Sequence, residues 1–271
     1  MDMLFKNVIN TCLLVVFTFS LSFSQVKTLA YKAGQLKSTR VKDAYDTKWP
    51  KLQQDLKAIN VNPDEFDICM RAFKYEKVVE VWVKNQGDVK YKLFRTYDIC
   101  ASSGDLGPKR KEGDGQVPEG FYKIDLFNPT SDYYLSMRIN YPNSSDVILK
   151  DGLNAGGAIM MHGSCVTIGC LPMTDDKIKE LYVLCLEARN RNKPIYIDIF
   201  PAKLTTTNIT MLESNYPKSK IAFWKTLKPA YDYFETYRWL PKINTDAKGN
   251  YFIAPEDLNP QEPPLKPINK L

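Results

Sequence analysis

Apolar residues recur at two different intervals along this chain, and the interval changes twice. Between residues 65 and 140, the runs 68–75, 78–84, 90–97, 121–127 and 133–139 are rich in aliphatic and aromatic side chains. Val79, Val81 and Val83 alternate with their neighbours, as do Tyr122, Ile124 and Leu126, and then Tyr133, Leu135, Met137 and Ile139. A period of two puts one set of side chains on one face of a sheet, so these runs read as strands, with a hairpin-like turn at 85–88. The uninterrupted apolar run 158–161 reads as a buried strand that ends at His162 and Gly163, and 195–200 reads as a last strand with Ile195, Ile197 and Ile199 on one side. Repeated short strands between turn signals predict a mainly β fold with accessory helices, its sheet mostly antiparallel and sandwich-like.

Helical spacing flanks this span. Leu52, Leu56 and Ile59 predict a helix over 50–59 with Pro50 in its first turn, and the polar, basic stretch 25–49 reads as a linker or surface-hugging lead. Thr174 suits an N-cap, and Asp175 and Asp176 suit the positive end of a helix dipole. Ile178, Leu181, Tyr182, Cys185 and Ala188 then trace one helical face, with Arg189 and Arg191 at the C-terminus and Pro194 preventing continuation. Further helices are expected over 209–214 and 223–238, the second carrying Trp224, Leu227, Tyr231 and Phe234 as a packing face and Pro229 as a kink. Residues 246–250 mark a turn, and Pro260, Pro263, Pro264 and Pro267 give the tail an extended character.

At the other end, Lys6 precedes an apolar core at 12–19, and the small residues Ser22 and Ser24 suit a cleavage site before Gln25. This is the pattern of a secretory signal peptide, and the run is shorter than the roughly 20 residues of a spanning helix. Export to the periplasm or cell envelope is expected, with no stable membrane span after cleavage. The chain then divides into a signal peptide (1–24), an N-terminal lead and helix (25–64), a core domain carrying the candidate chemistry (65–202), a helical extension (203–245) and a turn with a proline-rich tail (246–271).

Composition alters this picture little. Hydrophobic residues at 44% and charged residues at 25% are an ordinary globular balance. The formal net charge of +6 is modest and mixed along the chain, so no nucleic-acid partner is expected. An anionic cell-wall polymer would suit that sign, as would plain solvated surface.

Candidate chemistry concentrates at 157–170, which holds His162, the only histidine, together with Cys165 and Cys170. Gly163 and Gly169 let the backbone turn tightly at both ends of the intervening loop. A free thiol titrates near 8.5, so little of it is thiolate at neutral pH, and a neighbouring imidazole raises that fraction. A thiolate can attack an acyl carbon, and the amides of Gly169 and Cys170 would face the resulting oxyanion if the turn is tight. Outside the leader the cysteines are Cys69, Cys100, Cys165, Cys170 and Cys185, an odd number, so an exported protein keeps at least one free thiol. Their pairing is open, and a Cys165–Cys170 disulfide would abolish a Cys170 nucleophile.

The stretch His162-Gly-Ser-Cys-Val-Thr167-Ile-Gly-Cys170 resembles the active-site signature of L,D-transpeptidase catalytic domains of the YkuD type, in particular their YafK-like branch. The resemblance implies a YkuD-type β-sandwich catalytic domain with a helix following the catalytic cysteine. It implies that Cys170 is the acyl-accepting nucleophile and His162 its base, with the Gly163 carbonyl orienting the ring and Thr167 at the Ser/Thr position of the signature. The wider family places a second histidine before Gly-Cys and an arginine shortly after; here those places hold Ile168 and Leu171-Pro172-Met173. The resemblance also extends to Val117-Pro-Glu-Gly-Phe121 and to Tyr141-Pro142-Asn143. It implies peptidoglycan stem peptides as substrate, no cofactor and no metal. Some YafK-like members are associated with removing peptidoglycan-linked lipoprotein, which adds that as a candidate partner.

Three readings follow from these residues. In the first, the protein is an exported cysteine acyl-transfer enzyme, with Thr167, Arg138, Lys109 and Tyr141 as candidate substrate-binding residues. Lys109 lies in the glycine-rich, charged loop 102–119, long enough to be functional, and Arg138 shares a strand face with Tyr134 and Ser136. In the second, His162, Cys165 and Cys170 bind a metal with Cys185, although their spacing matches no structural zinc pattern. In the third, the protein is a non-catalytic wall-binding module with a structural Cys165–Cys170 disulfide and a satisfied core histidine.

Overall fold

The computed structural model describes residues 30–258. The expected signal peptide and the proline-rich tail after Leu258 lie outside the described residues. Among the described residues no helix is long and apolar enough to cross a membrane.

A short helical segment at 30–35 leads into helix α1, Thr39–Ala58. The linker reading of 25–49 is therefore wrong from residue 39 onward. Val41, Ala44, Tyr45, Leu52 and Leu56 are buried along one narrow stripe, and the polar residues between them concealed its period. Pro50 lies inside this helix rather than in its first turn. An interior proline forfeits one backbone hydrogen bond at a cost of about 3 kcal/mol. Packing offsets that cost: α1 lies against α3 (Asp175–Asn190), where Tyr45 donates to Glu187 at 2.8 Å and Lys48 pairs with Asp176.

Eight strands form one curled sheet: β1 Phe66–Phe73, β2 Val78–Asn85, β3 Lys92–Asp98, β4 Gly120–Asn128, β5 Ser136–Ile139, β6 Met160–His162, β7 Leu171–Pro172 and β8 Tyr196–Phe200. Their order is β3-β2-β1-β8-β4-β5-β6-β7. The pairs β1·β8 and β6·β7 are parallel and the others antiparallel. The expected sandwich is instead a single sheet that bends at β4. Residues 120–123 of that strand pair with β8, residues 124–128 pair with β5, and the register slips between Ile124 and Leu126. A bulge of this kind sharpens local twist, which lets one sheet wrap its core without being cut in two. The strand expected at 133–139 begins only at Ser136, because Tyr134 has a φ of 68° and breaks the extended run.

Alternation along β1 explains the layering. Ile68, Met70 and Ala72 enter the main core, which α1 and α3 cover, while Cys69, Arg71 and Phe73 point to the opposite face. That second face is covered by α5 (Lys218–Tyr237), whose Trp224, Leu227, Tyr231 and Phe234 are buried. The aromatic stripe of the C-terminal region is thus core. Between these elements lie α2 (Ser144–Leu149) and α4 (Thr206–Asn215). The residues after 245 hold more than a turn: β9 (Ile243–Thr245) and β10 (Tyr251–Ile253) form a hairpin, and Tyr251 is buried against Phe121 and Phe223.

Candidate active site

The ladder of β5, β6 and β7 fixes the relation between the two reactive side chains. His162 faces Ser136 on one side and Pro172 on the other, and Met161 pairs with Leu171. Met161 and Leu171 point into the core, so the alternate residues Met160, His162, Cys170 and Pro172 share the other face. Cys170 sits one strand across from His162 and two residues back along it, level with Met160. The amide of Met160 donates to the Cys170 Sγ at 3.4 Å, and the thiol lies 3.8 Å from the Ala158 carbonyl oxygen.

His162 is only 2% exposed. Its Nδ1 is 2.5 Å from the Gly163 carbonyl oxygen, which makes Nδ1–H the donor and leaves Nε2 with the lone pair. The Tyr133 ring covers the imidazole at 4.7 Å between centroids. Burial pushes the imidazole below its ordinary pKa, with the Gly163 carbonyl pulling the other way. Burial also lifts the Cys170 thiol above its ordinary value, against the Met160 amide and the positive charge of Lys109. The resting pair is therefore a thiol and a neutral imidazole, and no hydrogen bond joins them among the described residues.

The loop between them is held at several points. Gly163 donates to Leu135 O at 3.0 Å, and Ser164 donates to Asp175 Oδ1 at 2.9 Å. A Cβ on Gly163 would lie 2.6 Å from that same Asp175 oxygen, so only glycine fits. Cys165 is bonded to Cys100, just beyond β3, at a sequence separation of 65. Thr167 Oγ1 accepts from Cys170 N–H at 2.9 Å and donates to Cys170 O at 2.9 Å. Gly169, at φ 100°, donates to Ser103 Oγ at 2.6 Å.

These contacts correct several expectations. The Cys165–Cys170 disulfide does not form: Cys165 is committed to Cys100, and Cys170 is free, as are the buried Cys69 and Cys185. That removes the structural disulfide of the wall-binding reading and takes Cys165 out of any His162–Cys165–Cys170 metal set. Thr167 braces the Cys170 backbone instead of facing a ligand. The Gly169 and Cys170 amides are both occupied, by Ser103 and Thr167, so neither is a free oxyanion donor here.

The remaining binding candidates are also committed. Lys109 is 5% exposed and ties the loop 102–119 together through Asp114 at 2.6 Å and the Lys111 carbonyl at 2.8 Å. Arg138 is held bidentately by Asp125 at 2.8 and 3.0 Å on the outer strand surface. The Tyr141 hydroxyl donates to Ala155 O at 2.9 Å. None of the three lines the cavity at Cys170.

That cavity has a volume of about 390 Å³, and its walls include Cys170, Ser103, Lys74, Val117 and Tyr216. Lys74 is pinned by Glu119 at 2.9 Å, and Glu119 also accepts from Trp224 at 2.6 Å. Tyr216, between α4 and α5, carries the C-terminal region into this wall. Sequence reasoning missed Ser103, Cys100, Asp175 and Tyr133. Ser103 does fall in the glycine-rich loop it singled out, but nothing in the spacing pairs a serine with an amide 66 positions away.

A model of the L,D-transpeptidase catalytic domain, YkuD, matches residues 74–209. The chain is 36% identical to the Escherichia coli K12 protein YafK, which bears a provisional L,D-transpeptidase name, over 69% of this chain and 74% of that one. Among solved structures, the helical cell shape determining protein Pgp2 from Campylobacter jejuni aligns at 18% identity and a TM-score of 0.41, over 72% of this chain and 80% of that one. Bd1075 from Bdellovibrio bacteriovorus aligns at 16% identity and a TM-score of 0.37, over 66% and 76%.

Proposed function

The chain belongs to the YkuD family of L,D-transpeptidase catalytic domains, and from that premise we propose that it is an exported cysteine acyl-transfer enzyme acting on peptidoglycan stem peptides. The observation that carries this reading is Cys170: a free thiol on the wall of a cavity, on the same sheet face as an imidazole of fixed tautomer. In the proposed reaction Nε2 of His162 takes the thiol proton as Sγ attacks the amide carbonyl carbon. The C–S bond forms, the C–N bond breaks, and the imidazolium returns the proton to the departing amine. A second amine or water then attacks the thioester, giving a cross-link or a hydrolysis product and freeing Sγ.

The raised thiol and lowered imidazole support proton transfer during attack rather than a standing ion pair. Ser103 accepts from Gly169 and so keeps its own O–H for a group in the cavity, which makes it a candidate donor to the oxyanion. The Cys100–Cys165 disulfide supports export, because such bonds persist in oxidising compartments.

Intact mass of the protein after incubation with stem tetrapeptides or a carbapenem tests the reading. A covalent adduct is expected in the native chain and absent in Cys170→Ala. An adduct that survives in Cys170→Ala, or none in either, would sink it. With a tetrapeptide donor, added diamino acid in excess separates the outcomes: a new amide product marks a transferase, and free acid alone marks a hydrolase.

A further inference from the structure

A cavity larger than the one at Cys170 lies elsewhere on the described residues. It has a volume of about 690 Å³ and lies between the outer face of the sheet, at β4 and β8, and the segment that follows α5. It shares no lining residue with the Cys170 cavity. Phe121, Tyr196 and Trp239 supply aromatic surface, and Asp198, Asn140 and Lys123 supply polar groups.

Asp198 sets this cavity apart. The residue is 8% exposed, and its carboxyl takes part in no hydrogen bond or ion pair among the described residues. Its neighbour across the β1·β8 ladder is Arg71, whose Nη1 is bound by Glu235 and whose Nε and Nη2 have no partner. A buried carboxylate without a hydrogen bond is costly, and the group responds by holding its proton. Burial raises the Asp198 pKa to about 7, with Arg71 pulling it down. A neutral carboxyl offers one donor and one acceptor, the pattern that meets a hydroxyl or an acetamide.

Other polar groups around it are likewise unused. Asn140 spends Oδ1 on the Lys123 amide at 2.6 Å and leaves Nδ2 without an acceptor among the described residues. The Trp239 indole N–H and the Tyr196 hydroxyl have no partner among the described residues. Lys123 stands over the Tyr196 ring at 5.2 Å and Lys242 also lines the cavity, so it already holds two cationic side chains and disfavours a cationic ligand. Aromatic faces beside unspent donors and acceptors call for a ligand that is apolar on one side and hydroxylated on the other.

We infer that this cleft is a carbohydrate subsite, which takes an uncharged pyranose unit of a glycan strand with its C–H face on the aromatic rings and its hydroxyl and acetamido groups on Asp198 and Asn140. The inference rests on the proposed wall substrate only for the choice of an N-acetylated sugar. It would let the protein hold a glycan strand at one face while Cys170 works on a peptide at another.

Calorimetric titration of the full chain with chitotetraose, a β-1,4-linked N-acetylglucosamine tetramer without stem peptides, tests this. Saturable binding is expected, weakened at least tenfold in Asn140→Ala and Asp198→Ala and lost in Trp239→Ala. Trp239 and Asn140 are partly exposed, so their variants keep the test alive if Asp198→Ala unfolds. Carbapenem adduct formation at Cys170 should proceed at the native rate in the Asn140 and Trp239 variants. No binding to the native chain, or binding unchanged in Trp239→Ala, would overturn the inference. So would displacement of the sugar by n-butylamine at equal concentration, which would mark a cation site. Adduct formation reports on the Cys170 reading and the titration on the cleft, so either can fail alone.

Discussion

The Cys170 cavity and the Asp198 cavity are built in opposite ways. At Cys170 nearly every polar group is spent on the site itself: Thr167 on the Cys170 backbone, Ser103 on Gly169, Gly163 on the His162 ring, Asp175 on the Ser164 amide. At Asp198 several polar groups keep capacity unspent: the Asp198 carboxyl, the Asn140 Nδ2, the Trp239 indole N–H and the Tyr196 hydroxyl have no hydrogen-bond partner among the described residues. Internal bonds hold a reacting pair in position without help from a ligand, as chemistry demands. Unspent donors and acceptors await a ligand, as recognition demands. The contrast fits the division proposed above, with reaction at the first cavity and holding at the second.

The largest effects should come from the reacting pair. Cys170→Ala is expected to abolish adduct formation. His162→Ala should slow it by roughly 10²–10⁴-fold, the usual worth of a positioned base. Both variants should keep the native circular dichroism spectrum, and full activity in either would break the assignment. The pH dependence has a defined sign. Because the imidazole pKa is lowered, its basic form persists below its ordinary value of about 6.5, and acylation should fall only in more acid solution. Because the thiol pKa is raised, alkylation of Cys170 by iodoacetamide should still be climbing above about pH 8.5. Alkylation that levels off near neutrality would instead indicate a standing thiolate–imidazolium pair.

The disulfide comes next. Cys100–Cys165 closes a long loop and ties the segment before Cys170 to the end of β3, where Cys100 N–H also donates to Pro172 O at 3.1 Å. Removing such a link costs about 4 kcal/mol in the chain-entropy account. The Cys100→Ser/Cys165→Ser pair is the informative variant, because Cys100→Ser alone would leave a free Cys165 beside Cys170. The double variant should lose stability on this scale in urea melts and acylate more slowly. An unchanged midpoint would show that the hydrogen bonds suffice to hold the loop.

Local chemistry was legible in the sequence, and long-range pairing was not. His162 at the end of an apolar run and Thr174 before a capped helix are written in neighbouring residues, and both stand where the local pattern puts them. α1 was half hidden because its buried stripe is narrow and Pro50 resembles a start. The bend at β4 depends on which strands flank it, and no periodicity records that. The Cys100 and Ser103 contacts bridge some 65 positions, so they exist only once β3 and β7 have been brought together by the sheet. Asp198 looked like an ordinary polar residue alternating with Ile197 and Ile199. Only α5 and the segment that follows it, both laid over that face, bury it.

A smaller effect is expected at Thr167, whose hydroxyl makes two hydrogen bonds to one residue. At about 1 kcal/mol net for each, Thr167→Ala should slow acylation by roughly tenfold or somewhat more. Thr167→Ser retains the hydroxyl and should restore most of the rate. A substrate-binding role would behave differently, raising KM while leaving kcat in place. Loss of kcat with rescue by serine is the result expected of a positioning residue.

The smallest effect should be at Arg138, which shares the outer sheet face with His162 and Cys170 but lines neither cavity and spends its guanidinium on Asp125. Exposed ion pairs are worth roughly 0–1 kcal/mol, so Arg138→Ala should leave both stability and acylation within about twofold of native. The same substitution should also leave chitotetraose binding unchanged, because Arg138 lines neither cavity. A tenfold fall in acylation would mean that substrate displaces Asp125 from the guanidinium on binding. The peptide would then reach across β5, and the separation between a reacting cavity and a holding cavity would have to be redrawn to include the strand between them.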